Sequence, residues 1–93
     1  MLSQMPIKLE KVGKKSIDRE ILRAAMIAEL DAINLYEQMA AFTDNAHIKK
    51  ILLDVAREEK THVGEFQALL LNEDEEQVKE LEEGREEVEE MIV

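Results

Sequence analysis

Residues 22–40 read LRAAMIAELDAINLYEQMA, and this segment determines the architecture of the 93-residue chain. Alternating steps of four and three residues along it meet an apolar side chain at almost every position, which is typical of one face of an α-helix. Residues 48–69, IKKILLDVAREEKTHVGEFQAL, repeat the pattern after the turn-forming sequence Thr43-Asp44-Asn45. The sequence therefore predicts an all-α fold built on two long antiparallel helices.

Charge and helix-breaking residues divide the chain into three segments. Residues 1–15 carry a net charge of +3 and contain a proline and a glycine, so we expect a basic N-terminal arm. Residues 16–72 form the predicted helical hairpin, and Ser16 is the expected N-cap of its first helix. Residues 73–93 carry a net charge of −9 and predict a short acidic C-terminal helix, whose thin apolar stripe is interrupted at Gly84 and Arg85.

Composition excludes several classes of function. The chain has no Cys, so it forms no disulfide and no iron–sulfur cluster, and any metal must be bound by Asp, Glu or His. The net charge of −10 argues against a nucleic-acid-binding protein, which needs a basic surface. No apolar run approaches the roughly 20 residues of a membrane span. No secretory signal is visible either, so we expect a cytoplasmic protein.

Three ionisable side chains interrupt the apolar faces: Glu29 in the first helix, and Glu59 and His62 in the second. Glu29 lies 15 residues before Asp44, and Glu59 lies 15 residues after it. An antiparallel hairpin therefore brings both carboxylates to the same level, about 22 Å from the turn. His62 follows Glu59 by one helical turn on the same face. We predict a cluster of these three side chains inside the hairpin.

Such a cluster needs compensation, because an unpaired carboxylate removed from water costs several kcal/mol. A Glu facing a Glu-x-x-His pair is half of the ligand set of di-iron carboxylate proteins, in which four helices supply four carboxylates and two imidazoles. Two copies of this chain supply the whole set, and the four negative charges balance two divalent ions. We therefore predict a homodimer with a di-iron site at its interface; the ligand types favour iron or manganese over structural zinc.

Other interpretations of the same residues stay open. Glu29 can be a partly buried carboxylate paired with Lys or Arg, although neither face contains such a cation. His62 can be a hydrogen-bonded core histidine. Tyr36, two turns from Glu29, can be a core aromatic residue or a redox residue. The whole chain can be a helical oligomerisation module without catalytic activity.

Residues 29–38 (ELDAINLYEQ) and 57–62 (REEKTH) resemble the encapsulated ferritin-like proteins, two-helix relatives of ferritin and rubrerythrin. The resemblance covers about residues 17–72. It implies half of a ferritin-like four-helix bundle that dimerisation completes, and a ferroxidase that oxidises Fe(II) with oxygen. It also implies a ring of dimers, typically a decamer, that works inside an encapsulin nanocompartment where the oxidised iron is stored. The residues implied in catalysis are Glu29, Glu59, His62 and Tyr36, of which the first three bind iron across the subunit interface.

Two features depart from the family pattern. Asp31 matches one carboxylate of an iron-uptake position, but Ala28 stands where the family often has a second. The last five residues, EEMIV, do not resemble the docking peptide of many shell cargoes, and some family members are instead fused to the shell protein.

A rubrerythrin-like, peroxide-reducing di-iron protein is the alternative enzyme, although a chain without Cys lacks a built-in rubredoxin electron donor.

Overall fold

The computed structural model describes residues 16–93, and the predicted basic arm at residues 1–15 lies outside the described residues. Three helices account for nearly all of the described chain: α1 spans Ile17–Phe42, α2 spans Ala46–Glu73 and α3 spans Glu75–Ile92. Helices α1 and α2 pack along each other as an antiparallel hairpin. The predicted all-α architecture is confirmed, since residues 16–93 contain no strand.

A three-residue connection sets the register of the hairpin. The backbone N–H of Thr43 donates to the last turn of α1 at 3.1 Å, which closes that helix. The Asn45 side chain accepts from the backbone N–H groups of His47 and Ile48 at 3.0 and 3.1 Å, so Asn45 is the N-cap of α2. Because both helices end at fixed residues, this connection also fixes which positions of α1 and α2 lie at the same height.

The beginning of α1 differs from the sequence prediction in one detail. Ser16 occupies the N-cap position, but its side chain forms no capping hydrogen bond. Its backbone has φ −107° and ψ −3°, whereas a capping residue usually adopts an extended conformation that directs its side chain towards the first turn. Its carbonyl oxygen accepts from the N–H of Glu20 at 3.0 Å, and the acids of the first turn still suit the helix dipole.

The hydrophobic core of the hairpin is small. The buried apolar residues in the described part of the chain are Ile33, Ala40, Ala56 and Leu70. Larger apolar side chains remain open to solvent, including Ile51 at 62% exposure and Leu69 at 53%. The helices between residues 17 and 92 do not include one that is long and apolar enough to cross a membrane. The hairpin thus leaves a large apolar surface uncovered.

Helix α3 begins directly after Asp74, its N-cap residue, which is only 7% exposed. One oxygen of this N-cap residue accepts from the backbone N–H of Gln77 at 3.0 Å, and the other accepts from the guanidinium of Arg23 in α1 at 2.9 Å. The described residues span 46 × 44 × 19 Å, so α3 projects sideways from the hairpin rather than along it. None of its residues is buried.

Helix α3 is continuous from Glu75 to Ile92, although its thin apolar stripe is interrupted at Gly84 and Arg85. A glycine inside a helix costs about 1 kcal/mol relative to alanine, which weakens the helix without ending it. Arg85 follows Gly84 and forms ion pairs with Glu82 and Glu89, one turn away in each direction. These pairs and the Asp74 cap support the helix around its weak point.

Candidate metal centre

The structure brings together Glu29, Glu59 and His62 between α1 and α2. One ligand atom from each of the three side chains lies within 4.8 Å of the others. Glu29 belongs to α1, and Glu59 and His62 are one turn apart in α2. The two glutamates, which are equally distant from the turn in sequence, therefore lie at the same height on the two helices of the hairpin.

The imidazole of His62 lies between the two carboxylates. Its Nδ1 atom lies 3.3 Å from Oε2 of Glu59 and 3.4 Å from Oε2 of Glu29. The side chains of Glu29 and Glu59 are only 19% and 18% exposed, whereas that of His62 is 44% exposed. The cluster is therefore closed on the side of the carboxylates and open on the side of the imidazole.

The two carboxylates lack a cationic partner within the described residues. Their charge contacts there involve only His62. Lys60, the neighbour of Glu59 in sequence, pairs instead with Glu37 at 3.1 Å on the outside of the hairpin. The Oε2 atom of Glu29 is completely buried and accepts no hydrogen bond. A buried acceptor without a partner is unfavourable by about 1–3 kcal/mol, and more when it is charged, so the cluster is short of positive charge.

The donor set fits a divalent transition metal. Carboxylate oxygens and imidazole nitrogens together suit iron and manganese, whereas structural zinc is more often bound by Cys and additional His. A bound cation would also give the buried Glu29 oxygen the partner that the protein does not provide. One chain offers three ligand side chains in this cluster, which is fewer than a metal pair needs.

Comparison with known proteins identifies the family of this chain. A family model described as rubrerythrin matches residues 20–92, which include all three clustered side chains. The chain belongs to the rubrerythrin family. Rubrerythrin-like proteins bind iron, and the family predicted from the sequence is confirmed.

Two relatives of this rubrerythrin-family chain are connected with encapsulins. A ferritin-like–encapsulin shell fusion protein from Pyrococcus furiosus is 62% identical over 93 residues, covering 98% of this chain and 27% of the relative. The encapsulin nanocompartment cargo protein EncC from Myxococcus xanthus is 42% identical over 69 residues, covering 71% of this chain and 53% of the relative. The chain thus spans about a quarter and about half of the length of these two proteins.

A solved structure shows the same fold. The crystal structure of the encapsulated ferritin domain from Pyrococcus furiosus matches with a TM-score of 0.85 and 61% identity, covering 99% of this chain and 96% of that one. The ferritin-like fold predicted from the sequence is therefore confirmed. The metal-binding role of the three clustered residues in this rubrerythrin-family chain stays a prediction.

The other residues singled out in the sequence lie outside the cluster. Tyr36 is partly buried in α1, and its position is about 10.5 Å from that of Glu29 along the helix axis. Asp31 is also partly buried in α1 and interacts with other residues of the protein. Neither residue supplies an atom to the three-residue cluster. The catalytic role expected for Tyr36 therefore stays a prediction as well.

A cavity beside the cluster contains a residue that the sequence does not single out. The cavity has a volume of about 360 Å³ and is lined by Glu29, His62, Glu65, Phe66 and Leu69. Glu65 is exposed and follows His62 by one turn of α2. In sequence it looks like one more surface acid of a highly acidic chain. The sequence does show that Glu65 follows His62 by three residues, which places both on one side of α2. Only the structure shows that both line the same cavity.

Proposed function

We propose that this chain is a ferroxidase that oxidises Fe(II) to Fe(III) with oxygen at a di-iron site shared by two copies. One observation carries the proposal. Two largely buried carboxylates and an imidazole converge without a Lys or Arg partner among the described residues, and a Glu29 oxygen lacks any hydrogen bond. Divalent cations would supply the missing positive charge and the missing partner.

A homodimer gives the site its full ligand set. Two copies supply four carboxylates and two imidazoles, as in the ferritin-like di-iron proteins, and the four negative charges balance two Fe(II) ions. The small core supports the same inference, since large apolar side chains of the hairpin remain exposed in a single copy. We infer a dimer that completes a four-helix bundle and then assembles further, with a decamer as the expected oligomer.

Each residue of the site has its own task. The carboxylates of Glu29 and Glu59 bind Fe(II), and their negative charge favours the ferric over the ferrous state. His62 binds through an unprotonated ring nitrogen, and its contact with Glu59 at 3.3 Å orients the ring. A bound iron pair supplies the electrons that reduce oxygen. Tyr36 lies too far along α1 to be a ligand, so we assign it a nearby redox or hydrogen-bonding role.

We infer that the chain works inside an encapsulin nanocompartment of the cytoplasm and delivers iron for storage there. This inference is supported by its similarity to an encapsulin shell fusion protein and to an encapsulin cargo protein. The shell would retain the ferric product, because a small helical assembly of this kind has no storage cage of its own. The encapsulin shell protein is the expected partner.

The proposal is tested by anaerobic Fe(II) titration followed by native mass spectrometry, with ferric absorbance recorded after oxygen is admitted. We expect two irons per dimer, even-numbered oligomers that iron stabilises, and rapid ferric formation. Glu59→Gln should remove most of the iron binding and at least about 100-fold of the oxidation rate, because it removes a charged ligand.

Glu58→Gln is the matched control. Glu58 is the preceding residue of α2 with a side chain that is 53% exposed, so this variant removes the same charge outside the cluster. Iron binding and oxidation should then stay near the wild-type values. A chain that binds no Fe(II), or a Glu59→Gln variant that oxidises iron as fast as the wild type, would contradict the proposal. The first result would leave a helical oligomerisation module.

A second activity is favoured by the family itself. A rubrerythrin-like protein would use the same iron site to reduce hydrogen peroxide, with electrons from an external donor because the chain has no Cys. Mixing the anaerobic ferrous protein with oxygen or with peroxide in separate stopped-flow experiments distinguishes the two activities. Oxidation that is much faster with peroxide, together with turnover on addition of a reductant, would favour the peroxidase.

A further inference from the structure

Helices α2 and α3 are separated by a single residue that is not helical. Asp74 has φ −144° and ψ 90°, whereas α2 ends at Glu73 and α3 begins at Glu75. The local sequence does not require a bend, since residues 65–83 contain neither Gly nor Pro. A continuous helix through this point would form about three further backbone hydrogen bonds, from the N–H groups of residues 75–77 to the carbonyls one turn earlier. The bend therefore needs contacts that compensate for the absence of these bonds.

The compensating contacts converge on the side chain of Asp74, which is only 8% exposed. One of its oxygens accepts from the backbone N–H of Gln77, and the other accepts from the guanidinium of Arg23 at 2.9 Å. The cap exists only in the bent form, because in a continuous helix the N–H of Gln77 would donate to a backbone carbonyl instead. Arg23 belongs to α1, so its ion pair holds the Asp74 carboxylate in the orientation that caps α3.

Beyond Asp74, the packing of α3 on the hairpin of the same chain is loose. None of the residues of α3 is buried. A cavity of about 270 Å³ lies between α3 and the hairpin, and its lining includes Leu81 of α3 and Ile27 and Leu30 of α1. Leu81 stays 43% exposed and Leu30 stays 51% exposed. Apolar packing within one chain therefore contributes little to the bend, and the contacts of Asp74 are its main support.

We propose that Arg23 and Asp74 form a conformational switch. While they are paired, α3 projects sideways from the hairpin; when the pair is lost, α2 and α3 join into one helix from Ala46 to Ile92. Backbone hydrogen bonds across the junction then replace the ion pair and the cap. Helix α3 has 18 residues and is about 27 Å long, so its C-terminal end moves by a distance of that order. The inference does not depend on the ferroxidase proposal, because neither residue belongs to the three-residue cluster.

The test measures the distance between two spin labels by pulsed electron paramagnetic resonance. The chain has no Cys, so Lys50→Cys and Glu86→Cys, both at exposed helical positions, introduce the only two labelling sites. An excess of unlabelled chain during assembly limits the signal to label pairs within one chain. A continuous helix places the two labelled positions about 54 Å apart, and the bent form brings them closer together.

We expect the otherwise unchanged labelled chain to show the shorter distance, and Asp74→Ala, which removes both contacts, to show mainly the distance of about 54 Å. Arg23→Gln removes only the ion pair and should add the longer distance as a second population. Arg23→Lys keeps the positive charge and should show the shorter distance alone. Arg57→Gln is the matched control and should have no effect, because Arg57 pairs with Asp54 of the same helix. Far-ultraviolet circular dichroism should show that Asp74→Ala is at least as helical as the wild type.

Three results would overturn the proposal. The shorter distance alone in Asp74→Ala or in Arg23→Gln would show that other contacts hold the bend. A broad distribution of distances without a population near about 54 Å would show a flexible joint rather than a second helical form. An equal effect of Arg57→Gln would show that loss of positive charge in general, rather than loss of the Arg23 ion pair, moves α3. Each of these results would leave the ferroxidase proposal intact.

Discussion

Glu29 illustrates how a residue suited to binding a cation weakens the protein that carries it. Its buried Oε2 atom has no hydrogen-bond partner, and a second carboxylate, that of Glu59, belongs to the same cluster. Without a metal, two negative charges are held close together in a partly desolvated space, where their repulsion is stronger than in water. The local geometry is therefore favourable only when a cation is present.

We predict that Glu29→Gln makes the metal-free protein more stable. The amide has the shape of the carboxylate but no charge, so the repulsion disappears, with an expected gain of about 1 kcal/mol. For a domain of this size, that gain corresponds to a rise in Tm of about 4–8 °C. The measurement is thermal unfolding, followed by circular dichroism in the presence of EDTA.

The same variant should lose the stabilisation that metal gives to the wild type, because a ligand is missing. Repeating the thermal scans with Mn(II) shows this second effect. Glu58→Gln again provides the comparison, since a surface substitution should change stability by less than about 0.5 kcal/mol. A Glu29→Gln protein that is less stable than the wild type in EDTA would show that the carboxylate is compensated within the protein.

The position of the three-residue cluster could be predicted, because it follows from the number of residues between its members and the turn. The α-helical spacing places Glu59 and His62 on one face, and the equal distances from Asp44 place Glu29 opposite them. Glu65 could not be recognised in this way. Its relevance depends on the shape of a cavity, and cavity shape depends on side-chain packing that the sequence pattern does not describe.

At the element scale, Asp74 controls the beginning of α3. The backbone N–H of Gln77 and the guanidinium of Arg23 lower the pKa of Asp74 below its ordinary value of 3.8, although burial acts in the opposite direction. The folded protein therefore binds a proton at this carboxyl less readily than the unfolded chain does. Its contribution to stability is complete above pH 3.8 and is lost as the pH falls through the lower folded-state pKa.

We predict that the difference in stability between the wild type and Asp74→Asn becomes smaller as the pH is lowered from about 5 to about 3. Asparagine still caps a helix but cannot form the ion pair with Arg23, so the comparison isolates the charge. Urea unfolding at several pH values measures the difference. Glu80→Gln, which removes a surface acid from the same helix, should show no such convergence, and a pH-independent difference for Asp74→Asn would contradict the prediction.

Only part of the structure of α3 could be predicted from the sequence. Its helical character and acidic composition are visible in the sequence, but the ion pair between Asp74 and Arg23 joins residues 51 positions apart. The sequence also shows that the thin apolar stripe of this helix is interrupted at Gly84, which predicts a weak helix rather than a boundary. The pairs of Arg85 with Glu82 and Glu89 follow the i, i+3 and i, i+4 spacing of a helix and support it at this point. The contact between Asp74 and Arg23, in contrast, is evident only in the three-dimensional structure.

At the scale of the whole molecule, exposed apolar side chains indicate which face of the hairpin meets a second copy. Ile51 and Leu69 are 62% and 53% exposed, and they lie 11 and 7 residues from His62, so all three share one face of α2. Leu53 is 47% exposed but lies two residues from Ile51, on a different side of the helix. The proposed dimer interface should contain the face that carries His62.

We therefore predict that Ile51→Asn weakens dimerisation much more than Leu53→Asn does. Burying an isoleucine side chain contributes about 1.5–3 kcal/mol, and a symmetric interface contains the residue twice, so the dimer Kd should rise on the order of 100-fold or more. Sedimentation velocity over a range of concentrations, with EDTA present to remove the effect of metal, measures this change. If Leu53→Asn is instead the variant that dissociates the dimer, the copies meet through the opposite face. The cluster would then lie outside the main interface, and the shared di-iron site would have to be abandoned.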